Sequence, residues 1–310
     1  MKKNVVVQNN HFIRNILYLN KLNTIEIKVF KSLISKIKNN ETLFDDFYEI
    51  DYTTLDIAGV DKQNRFQRVY QALDNLLGVK ITLTQEMREK TNDKDLIKRP
   101  GNKRLTLIRN FTYEKNKSKM SVEIDNSLKP FLLELERNYT IYDLENISRL
   151  KMVKDIKVYE IMKSWLKNGT VTYSIKQLNE ILEIEKDYRY LKNKTLIPII
   201  NRINKNTDLV IEFKELNSVD DIIPEKRKQK VHKLIFYIND KNSLWNNKVK
   251  DLENKTFLDK ENKKFYIKKI IQNKDLFDLE FIDLQDGGKG TIKNMNKEYI
   301  INEIFPRIKD

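Results

Sequence analysis

The feature that most restricts the fold of this chain is an order of elements that occurs twice. Thr24 can cap a helix whose apolar residues Ile27, Phe30, Leu33, Ile34 and Ile37 recur at helical spacing. A short strand is predicted at 47–50, a small helix at 52–58 closed by Gly59, and a longer helix at about 62–77 stopped by Gly78. Strands at 79–83 and 105–112 follow, on either side of a long polar loop. The order then recurs. A helix at about 153–167 meets an Asn168-Gly169 turn and a strand at 170–173. Ser174 caps a short helix ending near Leu182, a longer helix runs from about 188 to 205, and strands fall at 209–216 and 231–238. From Thr24 to Val79 is 55 residues, and from Val153 to Leu209 is 56, so the two copies share one spacing.

Helix, strand, helix, helix and two-stranded hairpin describe a winged helix-turn-helix domain. A strand at 121–125 and a helix at 127–136 lie between the copies, which puts the expected boundaries at 1–130 and 131–238. After Asn239 the pattern changes. Phe277, Leu279 and Phe281 alternate with Asp278 and Glu280, as in a half-buried strand; Gly287-Gly288-Lys289-Gly290 makes a turn, and an amphipathic helix is predicted at 297–304. The expected fold class is therefore α+β: two tandem winged helix-turn-helix domains and a small β-rich module over 239–310.

Charge suggests what such domains meet. The net charge of +14 is uneven: 44 basic and 32 acidic residues in the first 238, against 15 and 13 in the remainder. A basic body suits a polyanion, although a composition rich in Lys, Asn and Ile raises the isoelectric point by itself. With 40% hydrophobic residues the chain should fold, and no apolar run is long enough for a membrane span. The absence of cysteine excludes disulfides, thiolate catalysis and Cys-based zinc sites. A cytoplasmic location is the simplest expectation.

In the first long helix Phe66, Val69, Tyr70, Leu73, Leu76 and Leu77 share a face that should pack inward. The opposite face carries Asn64, Arg65, Gln67, Arg68, Gln71 and Asn75. Arginine and the side-chain amides pair bidentately with guanine and adenine, so Asn64, Arg65, Arg68 and Gln71 are candidate base readers; a merely solvated face is the alternative. In the second copy Arg189, Lys192, Asn193 and Lys194 project from the N-terminal half, the part that enters a major groove. Pro198 should kink this helix, or else marks a junction of two shorter ones. The wings offer Lys98, Arg99, Lys103 and Arg104, and Lys226, Arg227, Lys228 and Lys230, as phosphate contacts.

Catalysis is not expected. His11 and His232 form no His-x-His pair, and Lys289 is followed by glycine where a phosphate-binding loop needs Ser or Thr. Asp45-Asp46 and Asp220-Asp221 fit loops better than a metal site, so neither metal nor cofactor is anticipated.

Several segments resemble the iteron-binding plasmid replication initiators with twin winged helices. Tyr139-Thr140-Ile141-Tyr142-Asp143-Leu144-Glu145-Asn146, continuing through Leu150-Lys151 to Val158-Tyr159-Glu160, looks like that family's opening of the second domain, with Val158 where leucine is usual. Leu196-Ile197-Pro198-Ile199-Ile200-Asn201-Arg202-Ile203-Asn204 and Thr207-Asp208-Leu209 resemble the end of its second recognition helix and the strand after it. Leu22-Asn23 and Tyr70-Gln71-Ala72-Leu73 match more loosely, and the resemblance spans roughly 10–238. It implies a double-stranded DNA-binding initiator that occupies direct repeats at a plasmid origin as a monomer. It also implies origin opening, contact with host initiator and helicase proteins, and a homodimer that represses its own gene. The alternative is a winged-helix transcriptional repressor on an inverted repeat. Arg65→Ala or Arg189→Ala is expected to weaken specific binding. For 239–310 a protein contact, a dimer contact and a further DNA contact all stay open.

Overall fold

The computed structural model describes residues 4–15, 21–38, 43–83, 103–114, 119–133, 135, 138–224, 229–259, 261–274 and 276–309. The chain forms two compact units, Met1–Asn239 and Asp240–Asp310.

The first unit opens with β1 (Val5–Asn9) and α1 (Asn10–Asn15). Helix α2 (Thr24–Ile34) is capped by Asn23, not Thr24. The Asn23 side chain accepts from the amides of Ile25 and Glu26, while the Glu26 carboxylate accepts from the Asn23 amide at 2.7 Å. This reciprocal box satisfies orphan amides at the helix start. Next come β2 (Tyr48–Ile50), α3 (Tyr52–Ile57) with an Asp51 cap, and α4 (Arg65–Gly78). Between the two helices Gly59 adopts φ +73°, and a Cβ there would lie 2.5 Å from the Ser148 carbonyl oxygen, so only glycine fits.

The expected strand at 105–112 is two strands that bend at buried Leu107. β3 (Lys80–Leu83) pairs with β4 (Lys103–Thr106), whereas β5 (Ile108–Glu114) pairs with β6 (Lys119–Ile124). The sheet order is β2-β6-β5. The helix expected at 127–136 shrinks to a 3-10 turn and α5 (Lys129–Leu132), because Leu133 turns extended and is buried.

The second copy comprises β7 (Tyr139–Asp143), α6 (Glu145–Ser148), α7 (Val153–Trp165), β8 (Thr170–Ser174) and α8 (Ile175–Ile181). The long helix α9 covers 188–206, and β9 (Leu209–Leu216) and β10 (Lys233–Asp240) complete a sheet ordered β8-β10-β9.

The copies are not separable at 130. Strand β1 pairs antiparallel with β7, from Val5 opposite Asp143 to Asn9 opposite Tyr139, so the start of the chain belongs to the sheet that opens the second copy. One apolar core runs through both. A polar cluster is buried in the same junction. Lys31 Nζ lies 2.5 Å from Glu160 Oε1 and donates to Gln8 Oε1 at 2.8 Å, and the Tyr142 hydroxyl also donates to Glu160. Lys157, fully buried, donates to the Ile13 carbonyl at 2.7 Å. Burial pushes the Lys157 ammonium down to about 7, opposed by Glu160 and reinforced by Lys31. A buried ion cluster of this kind adds little net stability by itself, but is costly to break one partner at a time.

The second unit begins with α10 (Lys241–Lys250), capped by Asp240. Its sheet, ordered β14-β13-β12-β11-β15, contains β11 (Thr256–Leu258), β12 (Lys264–Asn273), β13 (Leu276–Asp283), β14 (Lys289–Met295) and β15 (Ile308–Lys309). Val249, Leu252, Phe257, Ile267, Ile270, Leu279, Ile300 and Ile304 fill its core. The predicted helix near 297–304 is a turn of α-helix continued as π-helix. Among the described residues no helix is long and apolar enough to cross a membrane.

Candidate nucleic-acid interface

Each copy presents its long helix beside a shorter one, α4 after α3 and α9 after α8. The start of α4 is set by Asn64, in the left-handed region at φ 50°, with its side chain exposed and making no capping bond. Gln67 and Gln71 are exposed along the same helix, and Arg68 is half-exposed with its guanidinium 3.4 Å from Asp61. Gln71 Nε2 donates to Asn75 Oδ1 at 3.2 Å, and Asn75 Nδ2 donates to Glu26 at 2.6 Å, which ties this end of α4 to α2.

Arg65 corrects the expectation of a solvent-facing base reader. Only 7% of it is exposed. Its guanidinium pairs with Asp56 on α3 and donates to the carbonyls of Val60 at 2.7 Å and Asp61 at 3.2 Å. Arg65 thus pins the turn between α3 and α4. The signal was in the spacing: Arg65 stands at i with Val69, Ala72 and Leu76 at i+4, i+7 and i+11, the buried stripe of the helix. Phe66 and Tyr70, expected inward, are half-buried instead, and Tyr70 packs edge-on against Phe111 and Tyr113 of β5 at 5.5 and 5.0 Å.

In the second copy Asp187 caps α9, accepting from the Tyr190 amide at 2.9 Å. Arg189, Asn193 and Lys194 are exposed. Lys192 is not free in the same way: its Nζ lies 2.5 Å from Glu215 on β9, and the Tyr188 hydroxyl donates to the same oxygen at 2.6 Å. Burial pushes the Glu215 carboxyl up, yet these two hydrogen bonds outweigh it and hold the group below its ordinary range. Tyr190, which sequence reasoning passed over, is 46% exposed at the leading end of α9, with Lys186 Nζ 5.3 Å from its ring.

Pro198 does not mark a junction of separate helices. The helix runs as Tyr188–Tyr190, a π segment Leu191–Leu196 and Ile197–Asn206 without interruption. The Ile197 amide bonds to the Lys192 carbonyl, one residue further than in an α-helix. The widened turn absorbs the donor that proline lacks.

Of the wing candidates, Arg104 on β4 and Lys230 before β10 are exposed, and the backbone of Lys103 pairs with Leu83. Lys98, Arg99, Lys226, Arg227 and Lys228 lie outside the described residues. Among the described residues, no three His, Asp or Glu side chains are grouped to hold a metal ion.

The initiator replication protein family matches this chain in two parts, the WH1 model over residues 5–163 and the WH2 model over 174–238. The first match runs through β7 and into α7, the span that β1 stitches together. No curated protein matches the chain. Among solved structures, the crystal structure of Pi initiator protein in complex with iteron DNA is similar, with a TM-score of 0.59 at 17% identity, over 77% of this chain and 98% of that one. The family matches cover both winged-helix copies, and the chain belongs to the initiator replication (Rep) proteins.

Proposed function

We propose that this protein is a sequence-specific duplex DNA-binding replication initiator that occupies direct repeats at a plasmid origin. The observation that carries the reading is one chain with two recognition helices, each with a polar exposed face, in the family of initiator Rep proteins. The likeness in fold to an initiator solved on iteron DNA supports it. Asn64, Arg68 and Gln71 read one portion of the repeat, and Arg189, Asn193 and Lys194 the other. Arg65 and Lys192 hold the helices in place. Arg104, Lys230 and the basic residues at 98–103 and 226–228 contact phosphates, which orient the protein without reading sequence. In this reading the bound protein promotes opening of neighbouring DNA and meets host initiator and helicase proteins in the cytoplasm, while a homodimer represses its own gene. The chemistry needed is binding alone, without cofactor or metal.

A footprint of the purified protein on the DNA flanking its gene, at near-physiological salt, tests this. Protection of several direct repeats is the expected result. Protection of a single inverted repeat over a promoter would make the protein a repressor, and no protection beyond that of random duplex would overturn the reading.

A further inference from the structure

The sheet of the Asp240–Asp310 unit has two unlike faces. Cross-strand register places Ile267 beside Phe281, Ile270 beside Leu279 and Phe277 beside Met295, all turned into the core. On the other face one row crosses four strands: Lys289 on β14, Ile282 on β13, Tyr266 on β12 and Thr256 on β11. Lys264 sits beside Leu258 at one edge of this row, and Lys269 stands opposite Glu280. No side chain of the row is fully buried, and the lysines are exposed.

Charge is segregated by strand. β12 and β14 carry Lys264, Lys268, Lys269, Lys289 and Lys293, all exposed, and no carboxylate. The acids of this face lie on β13. Of these, Asp278 is occupied, accepting from Asn273 Nδ2 at 2.9 Å and the Asn294 amide at 2.7 Å. The Tyr266 hydroxyl donates to Asn254 Oδ1 at 2.7 Å, which fixes the ring on the sheet.

We propose that this face binds single-stranded DNA, with Tyr266 and Ile282 as the surface for unstacked bases and Lys264, Lys269 and Lys289 as partners for phosphates. Neighbouring strands lie about 4.8 Å apart, so Lys289 and Tyr266 stand roughly 10 Å from each other with Ile282 between them. Cations set around an aromatic ring on an open face offer a single strand both phosphate partners and a stacking surface. A duplex keeps its bases stacked and offers a flat sheet only phosphates, which would leave Tyr266 and Ile282 without a role. The inference rests on the initiator reading only in choosing DNA over RNA.

The test is binding of the full-length protein to labelled oligothymidylate, with a random duplex and an RNA of equal length alongside. Tyr266→Ala should weaken single-strand binding roughly tenfold, and Tyr266→Phe, which keeps the ring, should stay within about twofold of the wild type. The double variant Lys264→Gln/Lys289→Gln should bind more weakly and with a shallower salt dependence. All three should protect duplex repeats like the wild type. Absent single-strand binding, an unchanged Tyr266→Ala protein or a preference for RNA would overturn the proposal. So would equal losses on random duplex, or a Tyr266→Phe protein as impaired as Tyr266→Ala. Loss in Tyr266→Ala together with a wild type that protects no repeats would sink the initiator reading and leave this one standing.

Discussion

The two winged-helix copies share an order of elements and differ in how each secures its recognition helix. In the first copy a cation is spent inside the fold, where Arg65 ties α4 back to α3 through Asp56 and Val60. What α4 then shows to solvent is mostly amide, Asn64, Gln67 and Gln71, with Arg68 half-exposed and 3.4 Å from Asp61. The second copy ties α9 forward to its wing, through Lys192 and Tyr188 on Glu215, and keeps Arg189 and Lys194 exposed. Neutral amides hydrogen-bond to base edges without displacing counterions, whereas cations do both. The same supersecondary unit therefore yields one exposed face that is mostly neutral, with Arg68 held near Asp61, and another that carries Arg189 and Lys194.

The largest effect should fall on what the copies share. Glu160→Ala leaves Lys31 and Lys157 buried without their carboxylate, and should cost about 3–5 kcal/mol. Urea unfolding should lose both copies in one transition; two separate steps would show that they do not share a core. Next in size, Arg65→Ala should cost about 2 kcal/mol of stability, since a half-exposed Asp56 limits the loss. Arg189→Ala should leave stability within about 0.5 kcal/mol and weaken binding to the cognate repeat by about 1–3 kcal/mol. The reverse pattern, read by melting and titration, would exchange the roles assigned to the two arginines.

A smaller effect concerns pH. The Lys157 ammonium is held at about 7 in the fold, below its ordinary 10.5. Between these values the unfolded chain binds more protons, so stability should rise with pH across that window. Lys28, lowered to about 8 by burial and then by Lys151, acts in the same direction. The melting temperature should climb by a few degrees from about pH 7 to pH 9, and Lys157→Met should flatten part of that climb; an unchanged slope would remove Lys157 as its source. Smallest of all, Lys194→Ala should reduce the salt slope of repeat binding by about one, and Gln71→Ala should leave it unaltered. Equal slopes would erase the distinction between the faces.

Much of this architecture is legible in local pattern. Ile27, Phe30 and Leu33 announce α2, Ser174 announces α8, and the alternation of Phe277 and Leu279 announces β13, because each signal lies within one or two turns or pleats of chain. Expectations failed where the deciding partner was distant or where a residue type misled. Val5-Val6-Val7 carried no sign of its pairing with residues 141–143, far along the chain. Arg65 has the chemistry of a surface residue but stands in the buried stripe, and only the α3 carboxylate makes that tolerable. Lys192 looked like its neighbours because Glu215 approaches from a different strand. Pro198 suggested a kink or a junction of two helices, since nothing local to it signals a π turn. The candidate site was thus readable as two helices, and less so as individual side chains.

Strand β1 has a consequence for how the protein is made. Its partner, residues 139–143, leaves the ribosome long after β1 itself, so the leading copy cannot finish folding while it is the only part synthesised. Until then Val5–Asn9 waits with a bare backbone edge, ready to pair with any other strand. A fragment ended near residue 130 would make that wait permanent, and should aggregate. The shortest piece able to close its own sheet extends through Asp143, and translation must pass that residue before the opening strand has its partner.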